Sequence, residues 1–284
     1  LLECVPNFSE GRRLDVVEKI VDAALGLDVF MLDVSSDPDH NRSVLTIAGA
    51  PEPLVEFVVR AALVAVERID LRTQTGAHPR VGALDVVPFV ALEGTSDVDA
   101  VEAARGCAER IWGEAGVPCF LYEEASAQRR ALPEIRRGAF DSVLPDFGGN
   151  KPHATAGAAC VGARKLLVAF NVNLETPDVE VAKSIASEIR ESEGGLEHVR
   201  ALGLRLESRS LTQVSMNLLE PLKTTVSDAF DAVASAATRR NVKVASSEIV
   251  GLTPRAALGR RDHKSLMLSQ PPKVLEDEIA TIAH

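Results

Sequence analysis

The sequence predicts an α+β protein in which the order β-α-β-β-α-β occurs twice, and three observations carry that prediction. Short β-favouring runs alternate with segments whose apolar residues recur at helical spacing from Leu2 to Tyr122. The alternation resumes at Lys165, after a stretch (123–157) rich in charge, Gly, Pro and small polar residues where regular structure thins out. Composition is ordinary for a globular chain, with 46% apolar and 25% charged residues, so a large core is within reach. This strand and helix order is that of the ferredoxin-like fold. The expectation is therefore two ferredoxin-like (βαββαβ) subdomains with mixed sheets, spanning 1–160 and 161–258, followed by a peripheral tail over 259–284. A structural duplication of this kind places the expected ligand cleft between the halves.

In the first half, Leu2 to Asn7 is β-favouring, and Ser9-Glu10-Gly11 turns the chain into a helix over Leu14 to Val21. Val29 to Val34 reads as a strand that stops at the turn cluster Ser35-Ser36-Asp37-Pro38-Asp39-His40-Asn41. A second strand, Ser43 to Ala48, completes a hairpin. Pro51 and Pro53 suit the first turn of a helix, where the missing N–H groups cost nothing, and Leu54 to Arg68 continues the helical pattern. A strand follows over Asp85 to Leu92, then a helix over Asp97 to Ala115 and a strand over Val117 to Tyr122.

The second half opens with a strand over Lys165 to Asn173, and Thr176-Pro177 leads into a helix over Asp178 to Arg190. Strands over Gly203 to Leu206 and Leu211 to Leu218 flank the polar turn Ser208-Arg209-Ser210. A helix over Thr225 to Thr238 and a strand over Val242 to Ala245 close the repeat. The opening strands of the two halves end at Asn7 and Asn171, positions that suit ligand contact at a cleft.

Bulk charge narrows the function. A formal net charge of −10 argues against a nucleic-acid partner, which needs clustered Lys and Arg. No run of eighteen apolar residues and no charged-then-apolar leader is seen, so no membrane association is expected and the chain is placed in the cytoplasm. Cys4, Cys107, Cys119 and Cys160 lack CxxC or zinc-type spacing, so no metal is expected and the four read as buried thiols.

Chemistry concentrates in the stretch Thr75-Gly76-Ala77-His78-Pro79-Arg80-Val81-Gly82. Gly76 permits positive φ and Pro79 fixes its own φ, so the loop should hold the imidazole still with a fixed cation, Arg80, beside it. No GxSxG elbow, P-loop or HExxH spacing occurs, which leaves histidine acid/base catalysis. His78 ranks first on context, His153 second, with His40 also in a turn. The glycine-bounded loop Gly148-Gly149-Asn150-Lys151-Pro152-His153-Ala154-Thr155-Ala156-Gly157 suits close approach to a flat polar ligand. It should face the same cleft as His78. Arg42, Arg80, Arg164 and Lys151 are the cations available for carboxylates.

Three segments together carry a resemblance: Glu3-Cys4-Val5-Pro6-Asn7-Phe8-Ser9-Glu10-Gly11, Gly76-Ala77-His78-Pro79-Arg80-Val81-Gly82-Ala83-Leu84-Asp85, and Gly162-Ala163-Arg164-Lys165 through Ala169-Phe170-Asn171-Val172-Asn173-Leu174. From about Leu2 to Leu258 the chain resembles the glutamate formiminotransferase family. The resemblance implies transfer of a formimino group from N-formimino-L-glutamate to N5 of tetrahydrofolate, the co-substrate. It implies His78 as catalyst, a folate loop at Gly148 to Gly157, two ferredoxin-like subdomains forming a tunnel, and a homodimer. The bifunctional relatives continue into a cyclodeaminase domain that a chain of 284 residues is too short to contain. The alternatives are an ATP-dependent formyl-tetrahydrofolate cyclo-ligase, for which no phosphate-cradling loop is visible, and a non-catalytic folate-binding protein.

Overall fold

The computed structural model describes residues 1–92 and 94–282, and within it the chain divides into two compact units, Leu1–Arg164 and the remainder from Lys165. The first unit contains β1 (Leu2–Cys4), β2 (Asn7–Phe8), α1 (Leu14–Val21), β3 (Val29–Asp37), β4 (Arg42–Gly49), α2 (Pro51–Arg68) and β5 (Leu84–Ala91). In space these strands lie in the order β3, β4, β1 with β2, and β5, all antiparallel to their neighbours. That is the ferredoxin-like arrangement, with the strand after the second helix beside the first.

The sheet then extends beyond it. α3 (Asp97–Ala115), β6 (Cys119–Glu123), α4 (Leu132–Gly138) and β7 (Ala159–Ala163) follow in sequence, and β7 lies parallel to both β5 and β6. Neither α4 nor β7 is legible in the sequence. The strand Ala159-Cys160-Val161-Gly162-Ala163 is short, made mostly of small residues, and buried throughout, so it shows no alternation. α4 falls in the charged stretch after β6 and buries only Ile135 and Gly138.

Amphipathic helices cover one face of this sheet, because α1, α2 and α3 carry their apolar residues on one side. Phe57, Leu54 and Ile111 from the helices meet Leu2, Phe89 and Val87 from the strands with no solvent exposure. Full burial of side chains of this size stabilises by about 1.5–3 kcal/mol each. Pro51 opens α2 as expected, and Ser96 with Asp99 forms a reciprocal capping box at the start of α3. A smaller cluster on the other face gathers Val86, Phe120, Tyr122, Cys160 and Ile135 of α4. All four cysteines are free and buried, and burial pushes their thiols upward in pKa.

The second unit contains β8 (Val168–Leu174), α5 (Val179–Ile189), β9 (Val199–Leu206), β10 (Leu211–Leu218), α6 (Val226–Arg239), β11 (Val244–Val250) and α7 (Leu275–Ile282). Its four strands are ordered β11, β8, β10, β9. Every pairing is antiparallel, so of the two sheets expected to be mixed only the first is. Asp178 caps α5 and Thr225 with Asp228 boxes the start of α6. From the segment expected to be a peripheral tail, Leu266 is buried in this unit's core, and Ser247 donates to the Leu266 carbonyl. The last two residues of that segment lie outside the described residues. No helix among the described residues is long and apolar enough to cross a membrane.

Candidate active site

At one end of the first unit's sheet the chain places a carboxylate, two guanidinium groups and an imidazole together. β2 ends the opening strand at Asn7, antiparallel β4 begins there with Arg42, and β5 starts with a bulge opposite Asn7 and Phe8 that contains Asp85. Asp85 is fully buried. Its Oδ2 accepts from Arg42 Nη1 at 2.8 Å and from Arg136 Nη2, on α4, at 2.9 Å. Its Oδ1 accepts from the Val81 backbone N–H at 2.6 Å. Burial alone would raise this carboxyl's pKa, but Arg42, Arg136 and the Val81 N–H override it and hold it at about 2. Asn7 Oδ1 accepts from Arg42 Nε at 3.0 Å and from Nη2 at 2.8 Å, which fixes the plane of that guanidinium.

His78 stands against this cluster, half-buried. Its Nδ1 lies 2.8 Å from the Pro79 carbonyl oxygen and 3.2 Å from Arg42 Nη1. A carbonyl only accepts, so the shorter contact assigns the proton to Nδ1 and leaves Nε2 with its lone pair. Burial pushes the His78 pKa well below its ordinary value; Arg42 and Arg136 add to that, while Asp85 and the Pro79 carbonyl work against it. The ring is neutral near pH 7 and its free nitrogen is a base.

The loop is held by its neighbours as well as by its own sequence. Gly76 does not adopt positive φ, contrary to the expectation. It is required for closeness, since a Cβ there would lie 2.2 Å from the His40 carbonyl oxygen. The Ala77 N–H donates to the Asp39 carbonyl at 3.0 Å, and Asn41, at φ 47°, donates through Nδ2 to the Thr75 carbonyl at 3.1 Å. Arg80, expected to meet substrate, directs Nη2 to the His40 carbonyl at 2.9 Å and so ties the two loops together. The His40 and His78 ring centroids are 6.0 Å apart.

The glycine-bounded loop joins the same neighbourhood through the backbone. Val81 and Ala83, just after His78, pair with its end: Ala83 N–H donates to the Ala156 carbonyl at 2.9 Å and Ala158 N–H to the Val81 carbonyl at 3.1 Å. A Cβ on Gly82 would lie 1.9 Å from the Ala158 carbonyl oxygen, so only glycine permits this approach. His153 accepts at Nδ1 from the Ala156 N–H at 3.1 Å, which makes its Nε2 the N–H. Gly148, Gly149, Asn150, Lys151, Pro152 and Ala154 are exposed, Thr155 is half-buried, and Gly157 closes the turn on His153 at 2.8 Å.

Of the remaining sequence-expected residues, Arg164 follows β7 with its N–H on the Phe89 carbonyl at 3.0 Å. Asn171 belongs to the second unit, where its Nδ2 donates to Glu248 Oε1 at 3.0 Å. Sequence reasoning missed Asp85 and Arg136 as site residues. Asp85 did carry a signal, a lone carboxylate inside the apolar run Ala83 to Phe89. Arg136 carried none, being one arginine among several in a charged stretch.

The comparisons with known sequences converge. A family model described as "Formiminotransferase domain, N-terminal subdomain" matches residues 1–164, and one described as "Formiminotransferase domain" matches residues 169–270. The chain is 41% identical over 270 residues to a "Glutamate formimidoyltransferase" of Streptococcus pyogenes, covering 91% of this chain and 90% of the relative. It is 42% identical over 272 residues to one of Thermoplasma acidophilum, covering 91% and 89%. It is also 39% identical over 276 residues to a "Formimidoyltransferase-cyclodeaminase" of Sus scrofa, covering 91% of this chain and 51% of that longer relative.

Proposed function

The chain belongs to the formiminotransferase family, and from that premise we propose that it moves the formimino group of N-formimino-L-glutamate to N5 of tetrahydrofolate with His78 as general acid and base. The observation that carries the role is the hydrogen bond from His78 Nδ1 to the Pro79 carbonyl at 2.8 Å, which leaves Nε2 basic in a ring kept neutral by burial and by Arg42 and Arg136.

N5 of the folate attacks the formimino carbon, the C=N electron pair moves onto nitrogen, and a tetrahedral centre forms. His78 Nε2 takes the proton that N5 sheds. The nitrogen lone pair then re-forms the C=N bond as the bond from the formimino carbon to the glutamate nitrogen breaks, and the same proton goes to that departing nitrogen. An imidazolium of depressed pKa is a strong proton donor, so the environment that makes His78 available as a base also speeds the return step. Asp85 acts by position: it holds Arg42 and, through the Val81 N–H, the start of the turn that follows His78.

The residues present fit these substrates. Arg136 Nε is buried without an acceptor, beside the Nη2 that Asp85 holds, and an anionic or carbonyl oxygen of a ligand would satisfy it. The exposed stretch Gly148 to Lys151 offers one cation, Lys151, for the folate, and the end of the same loop, at Ala156 and Ala158, pairs with Ala83 and Val81 just after His78. The expected homodimer and cytoplasmic residence belong to the same reading, and sedimentation of the purified protein tests the first.

The test is transfer measured with tetrahydrofolate and formimino-glutamate, for the wild type and His78→Ala, without ATP. Wild type should form 5-formimino-tetrahydrofolate, and the variant should lose about two to four orders of magnitude in kcat while binding folate as before. Near-normal turnover in the variant would move the role to His153 or His40. ATP consumption with a formyl-folate, and no transfer, would replace this reading by the cyclo-ligase.

A further inference from the structure

The turn that carries His78 is fastened by a ring of hydrogen bonds that the mechanism above does not use. At its centre is Asn41, 2% exposed and the residue before Arg42. Its φ of 47° lies in the left-handed region, which asparagine adopts more readily than most side chains. Both hydrogens of its amide are used. Nδ2 donates to the Thr75 carbonyl at 3.1 Å and to Gln74 Oε1, while Oδ1 accepts from the Gly11 N–H at 3.0 Å. The backbone partners fix which end of the amide is which, because the Gly11 N–H requires an oxygen and the Thr75 carbonyl requires an N–H. Gln74 carries the chain of bonds onward, its Nε2 donating to Glu10 Oε2 at 3.1 Å. Glu10 precedes Gly11, so the ring closes through the backbone itself.

The far side of the ring is firmly anchored. Glu10 is 1% exposed, its Oε1 accepts from the Arg12 and Arg13 N–H groups, both at 3.0 Å, and its Oε2 accepts from Arg13 Nε at 2.6 Å. Gly11 admits no side chain, since a Cβ there would lie 2.4 Å from the Asp37 carbonyl oxygen. Segments 30 to 64 residues apart are thus joined by side-chain amides and one carboxylate. Removing one member of a buried network leaves the others without partners, which makes its geometry hard to vary.

Thr75 connects this ring to the base. It stands three residues before His78, so Asn41 fixes the entry of the turn, while Arg80, bonded to the His40 carbonyl at 2.9 Å, fixes its exit. Where the turn sits decides what the imidazole meets. Arg42 from β4, Arg136 from α4, Asp85 from β5 and the His40 ring face it, with Arg42 Nη1 at 3.2 Å from Nδ1. Those cations are held without Asn41, Arg42 by Asn7 and Asp85 and Arg136 by Asp85. We propose that Asn41 is the positioning residue for His78, its amide fixing the entry of the turn so that the imidazole is presented at one place beside Arg42. The inference rests on the reading of His78 as the base and adds what holds that base in register with the charges around it.

Two variants test it. Asn41→Gly deletes the amide but keeps a residue suited to positive φ, and Gln74→Ala opens the ring at its next link. Transfer from formimino-glutamate to tetrahydrofolate is followed against pH, and the His78 ring is titrated by NMR without substrate. In Asn41→Gly, kcat should fall about 10- to 100-fold, the effect of misplacing a catalytic group by about an ångström, with both KM values within about twofold because the site's cations stay in place. Released from its clamp, the ring loses burial and moves away from Arg42, so its titration and the acidic limb of kcat/KM should both move to higher pH. Gln74→Ala should act in the same direction by a smaller amount, and it decides the question should Asn41→Gly not fold. A residue that only stabilised the fold would lower Tm and leave kcat, the acidic limb and the ring titration of the folded protein unchanged. That result in Asn41→Gly, or in Gln74→Ala where the first variant does not fold, would overturn the proposal and leave the transferase reading standing. A wild type without transfer activity, whose His78 titration still moves in Asn41→Gly, would sink the transferase reading and keep the hold of Asn41 on the ring.

Discussion

Asp85→Asn isolates the electrostatics of the site without changing its shape. In the wild type one buried carboxylate pairs with two guanidinium groups at 2.8 and 2.9 Å, and Arg42 and Arg136 are themselves only 14% and 18% exposed. Replacing the carboxylate by an amide leaves two buried cations facing each other across a neutral group. Breaking a buried pair from one side costs about 3–5 kcal/mol. At about 2–4 °C per kcal/mol for a unit of this size, Tm should fall by roughly 6–20 °C at pH 7. The pH dependence follows from the sign of the shift. The folded pKa of Asp85, about 2, lies below its unfolded value, so its contribution is complete above the unfolded pKa and disappears as pH falls through the folded one. Melting curves at pH 7 and near pH 2 should therefore show a gap between wild type and variant that narrows in acid. A variant melting within about 2 °C of wild type at pH 7, or a gap independent of pH, would refute the account of Asp85 as the group that holds the site together.

Arg136→Met removes one of the two cations that lower the His78 pKa, so the acidic limb of kcat/KM, which reports loss of the free base, should move to higher pH. A pH–rate profile in which the limb stays put or moves to lower pH would contradict this. Gly82→Ala forces a Cβ to within 1.9 Å of the Ala158 carbonyl oxygen, so the strand-like pairing that carries the glycine-bounded loop must open. Urea unfolding should show about 1–3 kcal/mol of destabilisation, and hydrogen exchange should accelerate at the Ala83 and Ala158 N–H groups. Unchanged exchange there would mean that the loop is held elsewhere.

By itself the sequence determined whatever depends on local periodicity and local punctuation. The helices α1, α2, α3, α5 and α6 follow from apolar residues at helical spacing closed by identifiable starts, and the two βαββαβ orders follow from where these helices interrupt β-favouring runs. His78 could be singled out because a histidine next to proline in a glycine-bounded turn is a local pattern, and the family resemblance was carried by such short runs. Tertiary structure decided what distant segments supply to one another. β7 is a strand only because parallel neighbours on both sides complete its hydrogen bonds; its small, wholly buried residues advertise neither period. Gly76 matters for the approach of the His40 carbonyl rather than for φ, a constraint that originates in another loop. Above all, the site's charge is a long-range product. Arg42 and Arg136 reach Asp85 from 43 and 51 residues away, and nothing in the local sequence marks Arg136 for that contact. The base can be read from its turn, but its pKa is set by burial and by cations that only folding brings to it.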